Sequence, residues 1–281
     1  MAEIISAFDL VALQEVNRNL SGLKRLMRVL GRDWDYIATD TTEGVGGNQE
    51  RMAFVFNKKK IRFANIAGEV VLPRTEDQFS RTPFVASFQA GWFKFSLCTV
   101  HIFFGADSGE KLQRRVREIS KIAEFFKKRQ DKEKGDYILL GDFNIVNDEH
   151  PTMEALTDHG FTLPKELIGA FTNLRDDKQY DQIALRVKNK MLEIDNAGVF
   201  DFEDSVFTDT DEDFEAYRGA FPLERTDGKS EAELRKYYVS KWRTFQMSDH
   251  KPMWVELKVD FTNDYLNSLR PEEEPLASLD N

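Results

Sequence analysis

The sequence predicts an α+β fold in which two β-sheets pack face to face and helices cover them. Three observations lead there. Short apolar runs of strand character outnumber helical stretches. Glycine-bearing or polar turns bound those runs. Two segments place apolar residues at helical spacing. Sheets with apolar faces must bury them against another layer, and two sheets plus flanking helices satisfy all of them.

Phe8 to Val16 (FDLVALQEV) reads as a buried strand ending in polar residues. Leu20, Leu23, Met27 and Leu30 follow at helical spacing, with Gly31 placed to close the helix. Arg51–Phe56 and Ile61–Ile66 read as a hairpin around Asn57–Lys60. Phe84–Ala90 and Trp92–Ile102 read as two strands joined tightly at Gly91. Leu112, Val116, Ile119, Ala123 and Phe126 form an amphipathic helical stripe. Its outer face is basic, with ten Lys or Arg against four acids over 111–134. A solvated face explains that bias, and a phosphate-backbone contact is the sharper alternative. Tyr137–Leu140 is a short strand running into Gly141-Asp142-Phe143-Asn144, and Asp181–Val187 and Met253–Val259 are late strands.

Between those last two, 201–215 holds eight acids and no Lys or Arg, and 222–243 then carries six Lys or Arg. The span 201–243 is expected to be a surface lobe inserted between strands. There is no internal repeat and no linker, so one domain over 1–262 is expected, with 263–281 a disordered polar tail.

A chain of 281 residues with 41% hydrophobic residues and 23 Phe can bury a sizeable core. Its net charge of −10 argues against a protein that wraps and neutralises a nucleic-acid backbone. It leaves room for a nuclease, because a bound cation inverts the charge of an acidic cleft. Cys98 is the sole cysteine, in a strand-like run, and reads as a small core residue. No apolar run approaches the ~20 residues of a membrane span. The first residues lack the basic and apolar regions of a signal peptide, so a cytoplasmic location is expected.

Chemistry-bearing residues recur at strand ends. Asp142 and Asn144 are two apart after an apolar strand, and strand periodicity would aim both to one side. They suit a hard cation or a positioned water, and equally a capped turn. Ser248-Asp249-His250 precedes another strand, and His is the side chain best suited to proton transfer near neutral pH. Glu15, His101 and Asp181 also stand at strand termini. Alone, each reads as an ordinary surface or structural residue. Five such positions, holding two of the four His in the chain, favour a metal-assisted hydrolytic site.

In the order LQE, ERMAF, TVHI, GDFN, YDQI, SDHKP, the sequence resembles the DNase I-like endonuclease/exonuclease/phosphatase superfamily over roughly residues 1–260. GDFN and SDH are specific jointly, whereas LQE and TVH are weak individually. The resemblance implies a four-layer α/β/β/α sandwich of two packed mixed sheets. It implies that Glu15 binds a metal and that Glu50 orients His101, the pair protonating the leaving oxygen. Asp142 and Asn144 would position the phosphate and attacking water, with Asp181 in support. Asp249 would be a metal ligand or would orient His250, itself a base or phosphate-stabilising imidazole. Mg²⁺ or Mn²⁺ would neutralise charge during in-line attack of water on a phosphodiester. Members usually open with a strand carrying an Asn that serves the site. Here Met1 falls inside what reads as the helix after it, so that strand is expected to be missing.

The expected function is DNA cleavage by a divalent-metal-dependent endonuclease. Hydrolysis of a lipid headgroup or small phosphoester is the alternative, and a binding protein that kept the residues but lost the activity is a third. The sequence leaves the oligomeric state open.

Overall fold

The structure is a computed structural model and describes residues 1–41 and 50–269. In chain order, α1 (Ala2–Ser6), β1 (Leu10–Val16), α2 (Ser21–Leu30) and β2 (Trp34–Ala38) come first. Next are β3 (Arg51–Asn57), β4 (Ile61–Glu69), β5 (Phe84–Ala90) and β6 (Phe93–His101). Then α3 (Gly109–Glu133), β7 (Tyr137–Asp142), α4 (Pro151–Thr157), β8 (Asp181–Arg186) and β9 (Glu193–Val199) follow. The chain continues through α5 (Asp211–Tyr217), α6 (Leu223–Thr226), α7 (Glu231–Tyr237), β10 (Met253–Lys258) and α8 (Thr262–Ser268).

One layer is a five-stranded mixed sheet in the order β4-β5-β6-β7-β8, whose parallel pair is β6–β7. The facing layer comes in two antiparallel pieces, β1-β3-β2 and β10-β9. Phe54 and Phe56 of β3, Phe88 of β5, Ile138 of β7 and Ala197 of β9 share the core between the layers. Helices α3 and α4 cover the outer face of the five-stranded sheet through Ile119, Phe126 and Leu156. Helices α1 and α2 cover β1 and β3 through Ile5 and Leu23. The result is the four-layer α/β/β/α sandwich of DNase I-like proteins.

Two readings of local structure change. Strands β3 and β4 are not a hairpin: β3 lies between β1 and β2, while β4 pairs with β5 in the other sheet. The turn at Asn57–Lys60 is a corner that carries the chain from one layer to the other, and the strand pattern on either side is the same for both outcomes. Strand β9 was not foreseen because Glu193–Asn196 are exposed and its polar sequence lacks an apolar alternation. The expected disordered tail begins inside α8; its remainder from Arg270 lies outside the described residues. Among the described residues, β1 pairs only with β3 and β10 only with β9, so each has one side without a strand partner. Leu140 of β7 packs against the inter-sheet core and is half-buried.

The segment 201–243 builds a small core of its own from Phe214, Phe221, Tyr238 and Trp242. Opposite charges that are separate in sequence meet across it: Arg235 pairs with Asp209 and Asp211, and Arg243 with Glu203. Lys251, buried beside the site, ties the lobe's Asp201 (2.5 Å) to Asp176 (2.7 Å) on the preceding loop.

Candidate active site

The parallel β6–β7 pair brings two of the sequence positions together, with His101 directly opposite Asp142. The antiparallel β7–β8 pair places Asp181 opposite Asp142 on the other side. Three neighbouring strand ends thus carry His101, Asp142 and Asp181 in a row.

Close approach at this point depends on Gly141. Its φ is +124°, and a methyl group there would collide with the Val100 carbonyl oxygen and lie 3.0 Å from Gln14 Nε2. Asp142 and Asn144 do meet, though not by strand periodicity. The strand ends at Asp142, and Asn144 takes a left-handed backbone (φ 52°), a conformation Asn tolerates better than most residues. The Asn144 amide then donates to Asp142 Oδ1 at 2.8 Å, and its side-chain amide donates to the Ile102 carbonyl at 2.9 Å. Glu15 also has a left-handed backbone (φ 54°), within a bulge that shifts the β1–β3 register between Leu13 and Val16.

His101 is buried, with Nδ1 3.0 Å from Glu50 Oε1. Its Nε2 lies 3.5 Å from Asp142 Oδ2 and 3.9 Å from Glu15 Oε1. The Arg81 guanidinium, which is also buried, meets the same Glu50 oxygen. Burial would raise the Glu50 carboxyl, but His101 and Arg81 outweigh it and hold it below the usual range. Asp142 responds in the other direction. Burial and the facing Asp181 push its carboxyl up to about 6, against the pull of His101 and His250.

His250 arrives from the loop before β10 and is tied down by an isolated backbone pairing with Asn173. Its Nδ1 sits 2.6 Å from Asp181 Oδ2. Burial would lower its pKa, but Asp181, Asp142 and Asp249 together push it up to about 9. The orienting contact therefore comes from Asp181, while the exposed Asp249 acts on the imidazole through charge. The other two His stand elsewhere: His150 caps α4, and His159 pairs with Ser120.

Three residues of this neighbourhood were not singled out from the sequence. Arg81 lies in an irregular loop that offers no periodic signal. Arg115 is fully buried in α3 and donates to the Asn144 carbonyl (3.0 Å) and Asp107 (2.9 Å). It precedes Ile119 by four residues and so occupies the apolar face of its helix, a misplaced charge that the stripe could have revealed. Tyr180 stacks against His250 with ring centroids 5.6 Å apart.

For a cation, Glu15, Glu50 and His101 present ligand atoms within 4.8 Å of one another. Glu50 and His101 already engage each other, whereas the Glu15 carboxylate is 65% exposed. Hard carboxylate oxygens with open positions fit a small divalent ion.

No family model matches the sequence, and no curated protein matches it. Solved structures do resemble the fold. A mannosyl-6-phosphatase from Bacteroides thetaiotaomicron is 18% identical, with a TM-score of 0.58 over 92% of this chain and 88% of its own. TDP2 from D. rerio, complexed with a single-strand DNA product, is 13% identical with a TM-score of 0.56, covering 91% of this chain and 88% of its own. The human Nocturnin catalytic domain, holding a sulfate anion, is 14% identical with a TM-score of 0.53 over 69% of this chain and 74% of its own. At such identities the likeness establishes the fold.

Proposed function

We propose that this chain is a divalent-metal-dependent phosphodiester hydrolase, and specifically a nuclease that cleaves DNA by in-line attack of water. One observation carries the reading. A continuous line of contacts, Arg81–Glu50–His101–Asp142, meets a second, Asp181–His250, across one strand ladder. Two imidazoles, each anchored at Nδ1 by a carboxylate, thus flank a buried carboxylate whose pKa is about 6. Groups whose environments push their pKa values apart are the signature of divided acid–base roles.

With Glu50 holding Nδ1, His101 turns Nε2 toward the site, where it can give a proton to the leaving oxygen. Asp142, ionised above pH 6, accepts a proton from the attacking water, and Asn144 fixes its orientation. His250 is an imidazolium at neutral pH and stabilises negative charge gathering on the phosphoryl oxygens. Asp181 keeps it charged and oriented. Glu15 would hold a Mg²⁺ or Mn²⁺ ion, with Asp249 as the outlying second acid; when bound, the ion supplies Lewis-acid neutralisation of the phosphate.

A small phosphoester is the second reading. Asp177 lies close enough to act on Tyr180 at the rim, and an acid there opposes a long polyanion.

Nicking of supercoiled plasmid in Mg²⁺ tests the proposal. Nicking that disappears with chelator and in Asp142→Ala is the expected result. Activity surviving both would overturn it, and phosphate release from small esters without nicking would select the second reading.

A further inference from the structure

Beside the reacting groups lies an apolar feature that the chemistry above does not use. Phe104 follows His101 by three residues, on the segment between β6 and α3, and its side chain is 62% exposed. It is not isolated. Its ring meets Tyr180 edge-on, with centroids 6.3 Å apart and planes at 90°. Tyr180 in turn stacks on His250 at 5.6 Å and 26°. Three rings therefore run in sequence from the imidazole in the site to an open phenyl ring at its rim.

The surroundings hold this ledge in place. The Arg115 guanidinium sits 5.9 Å from the Phe104 centroid and is fixed by the Asn144 carbonyl and Asp107. The Tyr180 carbonyl accepts the amide of Phe143, so the ring is anchored to the same turn that carries Asp142 and Asn144. An exposed ring of this size on a fixed support keeps its apolar face in water unless a ligand covers it.

The geometry points to a planar occupant. Lys178, Asp107 and Arg115 surround the rings with polar groups. These groups are already paired with one another, which leaves the open phenyl face as the surface to be covered, and a flat heterocycle can lie on it while keeping its own polar edge hydrated. We propose that Phe104, supported by Tyr180, is a nucleobase-stacking subsite, so that the preferred substrate is a single-stranded or locally unpaired nucleic acid with a base next to the scissile phosphate. This rests on the reading of the site as a phosphodiester hydrolase and names its substrate class. Stacking tolerates any base, so the subsite selects unpaired bases without selecting sequence.

The test uses the full chain and a single-stranded oligonucleotide carrying 2-aminopurine, mixed rapidly in Mg²⁺ and read before turnover. A same-length competitor with abasic residues is run beside it, and cleavage of both oligonucleotides is followed separately. The expected result is quenching of 2-aminopurine on binding and at least about tenfold weaker binding of the abasic strand. Phe104→Ala should weaken binding of the base-bearing strand by about 5- to 100-fold and abolish the difference. Phe104→Trp should preserve it. Equal binding of the two strands, no binding of either, or an unchanged Phe104→Ala would overturn the subsite. The two ideas fail separately. Base-selective binding without cleavage leaves the subsite and removes the hydrolase reading; equal cleavage of both strands does the reverse.

Discussion

Asp181 joins the two halves of the site: it lies across the β7–β8 ladder from Asp142, and its Oδ2 is 2.6 Å from His250 Nδ1. One carboxylate thereby raises the pKa of a neighbouring acid and of a neighbouring base at once. The consequences can be measured.

The pH dependence of hydrolysis should be bell-shaped. Asp142 must be ionised, which sets an acid limb near 6, and both imidazoles must carry a proton, that of His250 being lost near 9. Asp181→Asn removes the principal partner of the imidazolium, so the alkaline limb should fall toward the ordinary His value of about 6.5. The same variant should change stability with a defined sign. The folded-state pKa of His250 lies above its unfolded value, so its stabilisation is full below about 6.5 and is lost as pH rises through 9. Denaturation midpoints across pH 6–10 should show that loss in the parent and not in Asp181→Asn.

Asp142→Asn should separate stability from activity. The folded-state carboxyl titrates near 6, well above an unfolded aspartate, so ionisation at pH 7.5 opposes folding. The neutral amide removes that opposition and can still accept from the Asn144 amide. An inactive protein more stable by about 1–3 kcal/mol in urea denaturation is expected. Equal or lower stability would refute the assigned shift.

Arg81 and Glu50 form a buried ion pair behind His101. Arg81→Ala strands the carboxylate in the interior and should cost about 3–5 kcal/mol. Adding Glu50→Gln should recover part of the stability but not the rate, because His101 then lacks its anionic anchor. Unfolding and turnover measured over this double-mutant cycle would distinguish a positioning pair from a purely structural one.

Gly141→Ala should be disproportionately damaging for a one-carbon change. The added methyl strikes the Val100 carbonyl in the parallel β6–β7 pair and demands a φ that alanine avoids. A loss on the order of 3 kcal/mol or more is expected, read as a fall in the thermal midpoint. Gly22→Ala, with nothing within 4 Å of the new methyl, is the control and should leave the midpoint unchanged or slightly raised.

Much of this protein was legible as sequence. Local patterning determined β1, α2, the β5–β6 hairpin and the stripe of α3, because each element reports its own buried face through its period. It also marked Glu15, His101, Asp142, Asn144, Asp181, Asp249 and His250 as unusual chemistry at strand ends. Only the tertiary structure decided which of those ends adjoin. Strand order is a long-range property, so nothing local to Arg51–Ile66 could reveal that β3 and β4 enter different sheets. Nothing in the Asp249-His250 pair could reveal that the partner of His250 is Asp181, 69 residues away. Arg81 and Phe104 carry no periodic signal at all. Their significance comes from the groups that the fold sets against them, the Glu50 carboxylate and the Tyr180 ring. Residue type and spacing record what a segment must bury or can ionise; the distances that turn those tendencies into a site arise only when the sheets close on one another.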